Sequence, residues 1–277
     1  MTDTENILQV LPALQLLLVA IWGACLGSLI NVVVWRLPRM LTQPEAGFNL
    51  FLPASHCPQC KTPLGWRDNI PLLGWLRLAG RCRHCQVAIS HRYPLTELAF
   101  MLTALLLAWW FPSPGLLLAA LLFSGILLAL ALIDSDCQLL PDALTLPLLW
   151  AGLLFHLWQP GGVVTLEAAV IGAATGYLSL WTLYWLFYFM TRREALGYGD
   201  FKLLAALGAW LGWRSLPLLL LLAALTAIVV ILLTRGWRRR ALTDPVPFGP
   251  WLALAGWILF LVQHSAHPPQ ALLAMLT

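Results

Sequence analysis

The chain has 277 residues and a formal net charge of +4, with 60% hydrophobic and only 10% charged residues. Soluble domains carry roughly 25% charged residues, so this composition, with its mean hydropathy of +0.81, excludes an ordinary globular protein. Intrinsic disorder is excluded as well, because disordered chains combine low hydrophobicity with high net charge. The composition indicates a polytopic membrane protein whose few charged residues carry most of the information.

Long apolar runs predict an all-α membrane protein with about eight transmembrane helices. The first residues are acidic, unlike the basic start of a removable signal, so the first run is predicted to be a transmembrane helix. The predicted spans are 11–34, 94–110, 116–133, 143–157, 163–190, 201–211, 216–234 and 250–262. The fourth and sixth are short for a hydrocarbon core about 30 Å thick, so we expect them to be partly enclosed or interfacial.

The distribution of lysine and arginine predicts the orientation, because cytoplasmic loops are enriched in these residues. With the N-terminus outside, fifteen of the sixteen basic residues lie on the inner side, and only Arg214 lies outside. The segment 35–93 is then cytoplasmic. We expect the run of Arg238, Arg239 and Arg240 to lie near anionic lipid headgroups and not to bind nucleic acid.

The cytoplasmic segment contains four of the six cysteines, as two CxxC pairs separated by 21 residues. This spacing is typical of a Cys₄ zinc site, and a reducing compartment argues against disulfides. The predicted metal ligands are Cys57, Cys60, Cys82 and Cys85. Four protein ligands leave no open position, so we expect a structural zinc ion. Cys25 and Cys137 are interpreted as packing residues.

Several aspartates lie at the predicted inner boundary of the membrane. Asp134, Asp136 and Asp142 follow the third span, and Asp200 ends the sequence GYGD just before the sixth. An ionisable residue at membrane depth is costly and therefore points to function. The other interpretation is that these are loop carboxylates near basic residues such as Arg192 and Arg193.

Asp134 and Asp200 are predicted to meet at the same membrane face. Gly197 and Gly199 lack Cβ atoms, which we expect to let a substrate backbone approach Asp200 at a helix N-cap. Two carboxyl groups held together in a partly dry site share one proton. The pair would therefore be equipped to activate water against a peptide bond.

With these residues identified, the chain resembles the type IV prepilin peptidases, membrane aspartic proteases of the GxGD type. The resemblance rests on GSLINVVVWRLP at 27–38, the two CxxC pairs, RYPLTE at 92–97, IDSDCQLLPD at 133–142, GYGDFK at 197–202 and PFGP at 247–250. It implies that Asp134 and Asp200 form the catalytic dyad. It also implies that the substrates are prepilins of type IV pili or pseudopilins of type II secretion, cut after a glycine at the cytoplasmic face of the bacterial inner membrane.

The resemblance implies a second activity, in which S-adenosylmethionine methylates the new N-terminal residue. In the family, methylation is associated with a Gly-Lys pair before the second CxxC, and here that pair is Gly80-Arg81. Arginine retains the charge but not the hydrogen-bonding geometry of lysine. The implied division is a first helix (1–34), a cytoplasmic zinc domain (35–93) and a transmembrane peptidase domain (94–277).

Glu97 and Glu167 lie outside the predicted catalytic pair, and two functions other than proteolysis are alternatives for a membrane protein of this kind. Glu97 could hold the zinc domain against the membrane or take part in catalysis, and Glu167 is interpreted as interfacial. A membrane transferase could use Asp134, Asp136 and Asp142 to bind Mg²⁺ and a lipid-linked phosphate, although Pro141 interrupts that face. A proton-coupled transporter would need carboxylates distributed through the spans, whereas here they cluster at one face.

Overall fold

The computed structural model of the protein describes residues 3–43, 47–111, 113–159, 162–192, 197–235 and 247–264. In these ranges the chain forms α1 (Asp3–Thr42), α2 (Leu73–Arg77), α3 (Arg92–Trp110), α4 (Pro114–Cys137), α5 (Asp142–Trp158), α6 (Leu166–Thr191), α7 (Tyr198–Leu211), α8 (Leu216–Arg235) and α9 (Gly249–Gln263). Two isolated β-bridges occur in the described residues, which contain no β-strand. The predicted all-α fold is therefore confirmed.

Five stretches of the described helices are long and apolar enough to cross a membrane: Leu14–Thr42, Arg92–Trp110, Pro114–Cys137, Leu166–Thr191 and Trp213–Leu233. The helices α5 and α9 are apolar but shorter. The first helix continues past residue 34, the predicted end of the first span, because the buried side chains of Arg36 and Leu37 extend its packed face. Four basic residues used to predict the orientation, Arg193, Arg238, Arg239 and Arg240, lie outside the described residues.

The chain forms two compact units, Met1–Gly125 and Ile126–Thr277. In the first unit, α1 packs against α3 through two glycines spaced four residues apart. A Cβ atom at Gly23 would lie 2.7 Å from Ala104 Cβ, and one at Gly27 would lie 2.7 Å from Glu97 Cα. These glycines therefore let the two helix backbones approach closely, as small residues do in membrane helix pairs. The domain limits predicted at residues 34 and 93 remain a prediction.

In the second unit, α7 is buried along nearly its whole length by α5, α6 and α9. Its crossing with α6 is made by backbone against backbone, because a Cβ atom at Gly172 would clash with the carbonyl of Gly208. One turn later, a Cβ atom at Gly176 would lie 2.7 Å from the carbonyl oxygen of Leu204. The small residues of α6 therefore allow α7 to lie in the interior.

Trp210 fixes the other end of α7 against α5. Its indole Nε1 donates to the carbonyl of Leu148 at 2.8 Å, and its own carbonyl accepts from His156 Nε2 at 2.9 Å. The ring also occupies the place of a side chain at Gly152, where a Cβ atom would lie 2.7 Å from it. These buried hydrogen bonds satisfy polar groups that the apolar surroundings could not.

We expect Gly172→Ala to destabilise the second unit, because the added methyl group overlaps the α7 backbone and must push the helices apart. Overpacking of this kind costs about 1–3 kcal/mol. Gly115→Ala is the matched control, since nothing lies within 4 Å of a Cβ atom at that helical position. Unfolding in mixed micelles, followed by circular dichroism, measures both variants. Equal stability of the two variants would contradict the close crossing.

Candidate active site and metal centre

Asp134 lies in the last turn of α4, as the sequence predicted, and its side chain is only slightly exposed. Its Oδ2 atom accepts a hydrogen bond from the backbone N–H of Gly249 at 2.9 Å. A Cβ atom at Gly249 would lie 2.7 Å from that same oxygen, so the carboxylate occupies the space that a side chain would need. Gly249 therefore has to be glycine for this contact to form.

Asp200 is the third residue of α7 and is also buried. The sequence predicts Asp200 at the N-cap, but the N-cap is Gly197, whose carbonyl accepts from the Asp200 N–H at 3.1 Å. Asp200 thus sits inside the first turn, where a carboxylate is stabilised by the helix macrodipole. Tyr198 and Phe201 flank it with their rings 5.5 Å apart. Both rings also pack on Tyr184 of α6, which forms an aromatic wall beside the carboxyl group.

The two aspartates come together, as predicted. Their carboxyl groups lie close enough for the charge of Asp134 to act on Asp200. Leu140 contacts both sides of the pair, because ideal Cβ atoms at Gly199 and Gly249 would lie 2.7 Å from its Cβ and 3.2 Å from its Cδ2. Leu140 therefore lies between the segment before Asp200 and the segment that binds Asp134.

The expected purpose of the glycines in GYGD needs correction at one position. The space beside Gly199 is filled by Leu140 and is not open to a substrate. At Gly197 a Cβ atom would meet only Asp200 Oδ2, at an ordinary distance of 3.6 Å. Gly199 is thus required for packing within the protein, and Gly197 is the position that leaves access to the carboxyl group.

The other two aspartates of the 133–142 segment do not join the pair in a metal cluster. Asp136 is exposed, and Asp142 forms an ion pair with Lys202 Nζ at 2.7 Å. Because Lys202 lies two residues after Asp200, this ion pair ties the start of α5 to the start of α7. Glu167 is exposed in the first turn of α6, consistent with an interfacial position.

The cysteines of the two CxxC pairs converge in the first unit. Their Sγ atoms all lie within 4.8 Å of one another, and they form the one group of metal-ligand type in the described residues. The closest cross-pairs are Cys57–Cys85 at 3.7 Å and Cys60–Cys82 at 3.9 Å. Four sulfurs bound at about 2.3 Å to a tetrahedral zinc ion would lie about 3.8 Å apart, so the geometry fits a structural zinc ion.

The two cysteine pairs are built as a repeat with an offset of 25 residues, which was not predicted from the sequence. The Cys57 N–H donates to the carbonyl of Thr62 at 3.0 Å, and the Cys82 N–H donates to that of Val87 at 2.9 Å. Lys61 and Gln86, each directly after a CxxC, have the same φ of 58°. The aligned CxxC pairs and the polar residue after each were the signal in the sequence.

Local hydrogen bonds favour the thiolate form at two of the four cysteines. The side chain and the backbone of Thr62 lower the pKa of Cys60 to about 6. The backbone N–H groups of Cys85 and His84 likewise lower the pKa of Cys82. At Cys85 the backbone of Val87 acts in the same direction, but burial and the neighbouring thiols raise the pKa to about 11. Thiolates are the form of cysteine that binds metal, so the contacts at Cys60 and Cys82 favour the bound state.

Gly80 and Arg81 precede the second cysteine pair and have different surroundings. Gly80 has a φ of 69°, which favours glycine, and a Cβ atom there would lie 2.8 Å from the ring of Trp75. Its N–H donates to the carbonyl of Trp75 at 3.0 Å, and its carbonyl accepts from Ile89 at 2.7 Å. Arg81 is exposed.

Glu97 links α3 to the loop before α2. It is 8% exposed, and its Oε2 atom accepts from the backbone N–H of Leu72 at 2.7 Å. Leu72 has a positive φ of 61°, so the carboxylate binds an unusual backbone conformation. This contact agrees with the predicted role of Glu97 in holding the cysteine-containing segment.

Comparison with known proteins matches most of the chain to two family profiles. The Bacterial Peptidase A24 N-terminal domain matches residues 21–111, which contain the cysteine cluster and Glu97. The Type IV leader peptidase family matches residues 121–232, which contain both aspartates.

Curated relatives match over almost the full length. A prepilin leader peptidase/N-methyltransferase of Aeromonas salmonicida is 50% identical over 91% of this chain and 92% of the relative. The proteins of that name from Dickeya chrysanthemi and Pseudomonas aeruginosa are 52% and 45% identical, over 88% and 90% of this chain and 92% and 91% of the relatives. No solved structure matches the chain.

The cysteine geometry predicts about one tightly bound metal ion per chain. Cys60→Ser should remove that ion, because a hydroxyl group is a poor replacement for a thiolate ligand. Cys25→Ser is the matched control, since Cys25 is an exposed cysteine outside the cluster. Elemental analysis of the purified proteins measures the metal and identifies it. Equal metal content in the two variants would contradict the site.

Proposed function

The chain belongs to the type IV leader peptidase family, and on that premise we propose that it is a bifunctional prepilin leader peptidase and N-methyltransferase. It removes the leader of prepilins or pseudopilins after a glycine and then methylates the new N-terminal residue. The buried pair of Asp134 and Asp200, held at the ends of two different helices, is the observation that supports the peptidase activity most strongly.

Hydrolysis at the pair follows from the sharing of one proton between two carboxyl groups. The ionised member takes a proton from water, and the protonated member donates a hydrogen bond to the carbonyl oxygen of the scissile peptide. Water oxygen then bonds to the carbonyl carbon. The C–N bond breaks as the nitrogen receives a proton from the pair, which releases the leader and a free α-amine.

Gly249 orients one partner for this reaction. Its N–H engages Oδ2 of Asp134 and leaves Oδ1 for water or substrate. The buried rings of Tyr184 and Phe201 pack on each other beside the buried Asp200 and would limit its contact with bulk water. Exclusion of water strengthens the electrostatic interactions of the carboxyl groups with the peptide.

Methyl transfer is assigned to the first unit, with Gly80 and Arg81 as contributing residues. S-adenosylmethionine, when bound, supplies a methyl group on a positively charged sulfur. The protein has to hold the product amine in its neutral form, so that the nitrogen lone pair can bond to the methyl carbon as the carbon–sulfur bond breaks and its electron pair stays on sulfur. A proton of the nitrogen then leaves to solvent. Zinc on the four cysteines would brace this unit and take no part in the chemistry.

We further propose that the protein lies in the bacterial inner membrane with its N-terminus outside. The concentration of lysine and arginine on one side supports this orientation. The zinc-binding segment and the aspartate pair would then both face the cytoplasm. Prepilin-type substrates and the lipid bilayer are the partners that this arrangement implies.

We expect Asp134→Asn and Asp200→Asn each to reduce cleavage of a prepilin by about 10²–10⁴-fold or more, because neither variant can share the proton of the pair. Mass spectrometry of a prepilin incubated with the purified enzyme measures loss of the leader. Asp136→Asn is the matched control, as this exposed aspartate lies two residues from Asp134. A gain of one methyl mass when S-adenosylmethionine is added tests the second activity. Full cleavage by both variants of the pair would refute the proposed function.

The same assay distinguishes the magnesium-dependent transferase. That enzyme would lose activity with Asp136→Asn and on removal of Mg²⁺, whereas the peptidase should be indifferent to both. The ion pair between Asp142 and Lys202 already engages one of the three carboxylates that a magnesium site would need.

We expect Gly249→Ala to lower cleavage while leaving the protein folded. The new methyl group would displace Oδ2 of Asp134, and with it the alignment of the pair. Gly115→Ala again serves as the control, because its side chain enters open space. Turnover measured at saturating prepilin should fall for the first variant only; equal turnover would show that the hydrogen bond from Gly249 does not orient Asp134.

A further inference from the structure

A cavity of about 420 Å³ lies within the first unit, between the C-terminal half of α1, the N-terminal end of α3 and the cysteine-containing segment. Its volume falls in the range of about 300–1,000 Å³ that is typical of small-molecule sites. Among the residues that line it are Asn31, Trp35, Arg36, Trp75, Tyr93 and Glu97. It therefore combines a carboxylate, a guanidinium group and three aromatic rings in one enclosure.

Glu97 presents a buried carboxylate to this cavity. Only Oε2 is engaged in the described part of the chain, by the N–H of Leu72, and Oε1 has no described partner. A buried carboxylate is costly unless it is paired. A ligand with a positive charge would supply the missing partner.

Arg36 presents the opposite charge. It is 5% exposed, and its guanidinium group donates to the carbonyls of Asn49 at 2.9 Å and Pro53 at 2.7 Å. Both acceptors are neutral, and the described residues place no carboxylate on this arginine. Two of its five N–H groups are used, so the others could bind a ligand carboxylate.

The aromatic residues provide flat walls. Trp75 is held in place by its Nε1–H, which donates to the carbonyl of Ile89 at 3.3 Å. Tyr93 is partly exposed and presents ring surface, and Trp35 lines the cavity although the guanidinium carbon of Arg39 lies 3.5 Å from its ring centroid. Such rings stack on a heterocyclic base and attract cations to their faces.

We propose that this cavity binds S-adenosylmethionine, the methyl donor of the proposed function on which this inference rests. The donor has a purine ring, two positive charges on sulfur and amine, and a carboxylate. Glu97 would pair with a positive charge, Arg36 with the carboxylate, and the aromatic walls with the ring. The zwitterionic and aromatic character of the donor matches the unpaired groups of the cavity.

A donor bound in this cavity would also explain the role of Gly80, which would not contact the ligand. Gly80 does not line the cavity, but Trp75 does, and any side chain at residue 80 would push the Trp75 ring. Cys57 and Cys82 lie in the same wall. Gly80 and the metal centre would therefore stabilise the wall of the donor site.

The test is binding of radiolabelled S-adenosylmethionine to the metal-loaded enzyme in lipid nanodiscs, without prepilin. Glu97→Gln retains an oxygen acceptor for the Leu72 N–H but loses the charge. It should weaken binding about tenfold or more, as expected for a lost hydrogen bond to a charged group. Trp35→Leu removes one aromatic wall and should also weaken binding. Trp66→Leu is the control, because Trp66 is 73% exposed and outside the cavity.

Metal content and the unfolding temperature show whether each variant is folded. Binding equal to wild type in both folded cavity variants, or no binding by the wild-type enzyme, would overturn the proposal. Failure of the proposed function has a different signature, in which the wild-type enzyme binds the donor but adds no methyl group to a cleaved prepilin. Weaker binding in both cavity variants, with the control unchanged, supports the site.

Discussion

The enclosure of α7 by its neighbours is the constraint on which the second unit depends. Lipid tails are as apolar as leucine, so no hydrophobic force drives one membrane helix against another, and close packing has to hold them. Here the backbones of α6 and α7 touch at Gly172 and Gly208, and Trp210 ties α7 to α5 by buried hydrogen bonds. This packing also positions Asp200, because Asp200 belongs to the first turn of the same helix.

The hydrogen bond to Asp134 is suited to an aspartate pair because a backbone N–H carries no full charge. A lysine or arginine in its place would hold both carboxyl groups ionised and would prevent the sharing of a proton. The peptide N–H of Gly249 instead fixes the direction of one oxygen. Residue 249 therefore has to be glycine, because the carboxylate lies where a side chain would begin.

The sequence was sufficient for the helices, the cysteine cluster and the two aspartates, because each leaves a local pattern. Apolar runs indicate spans, CxxC spacing indicates a metal site, and a charge inside an apolar chain indicates function. The glycine pairs at 23 and 27 and at 172 and 176 were also visible as a spacing of four, but not which helix each pair would meet.

Contacts between distant residues could not be predicted in the same way. Gly249 is 115 residues from Asp134, and periodicity shows the face of a helix but not its partner. The role of Gly199 depends on Leu140, a residue with no motif of its own. The cavity beside Glu97 is formed by segments from three parts of the chain, so the unpaired charges in it become visible only in three dimensions.

The chemistry of the two proposed reactions fixes their order, and the electrostatic requirements of the two reactions conflict. Until the leader is removed, the nitrogen to be methylated belongs to a peptide bond, whose delocalised lone pair is unavailable, so cleavage has to come first. The aspartate pair works only if it retains a proton, which a neighbouring cation would remove. A donor that carries positive charge requires an ionised carboxylate and, for its own carboxylate, a buried cation such as Arg36. A single pocket could not meet both conditions. The carboxyl pair accordingly lies in one compact unit, and the cavity that contains both a carboxylate and a guanidinium group lies in the other.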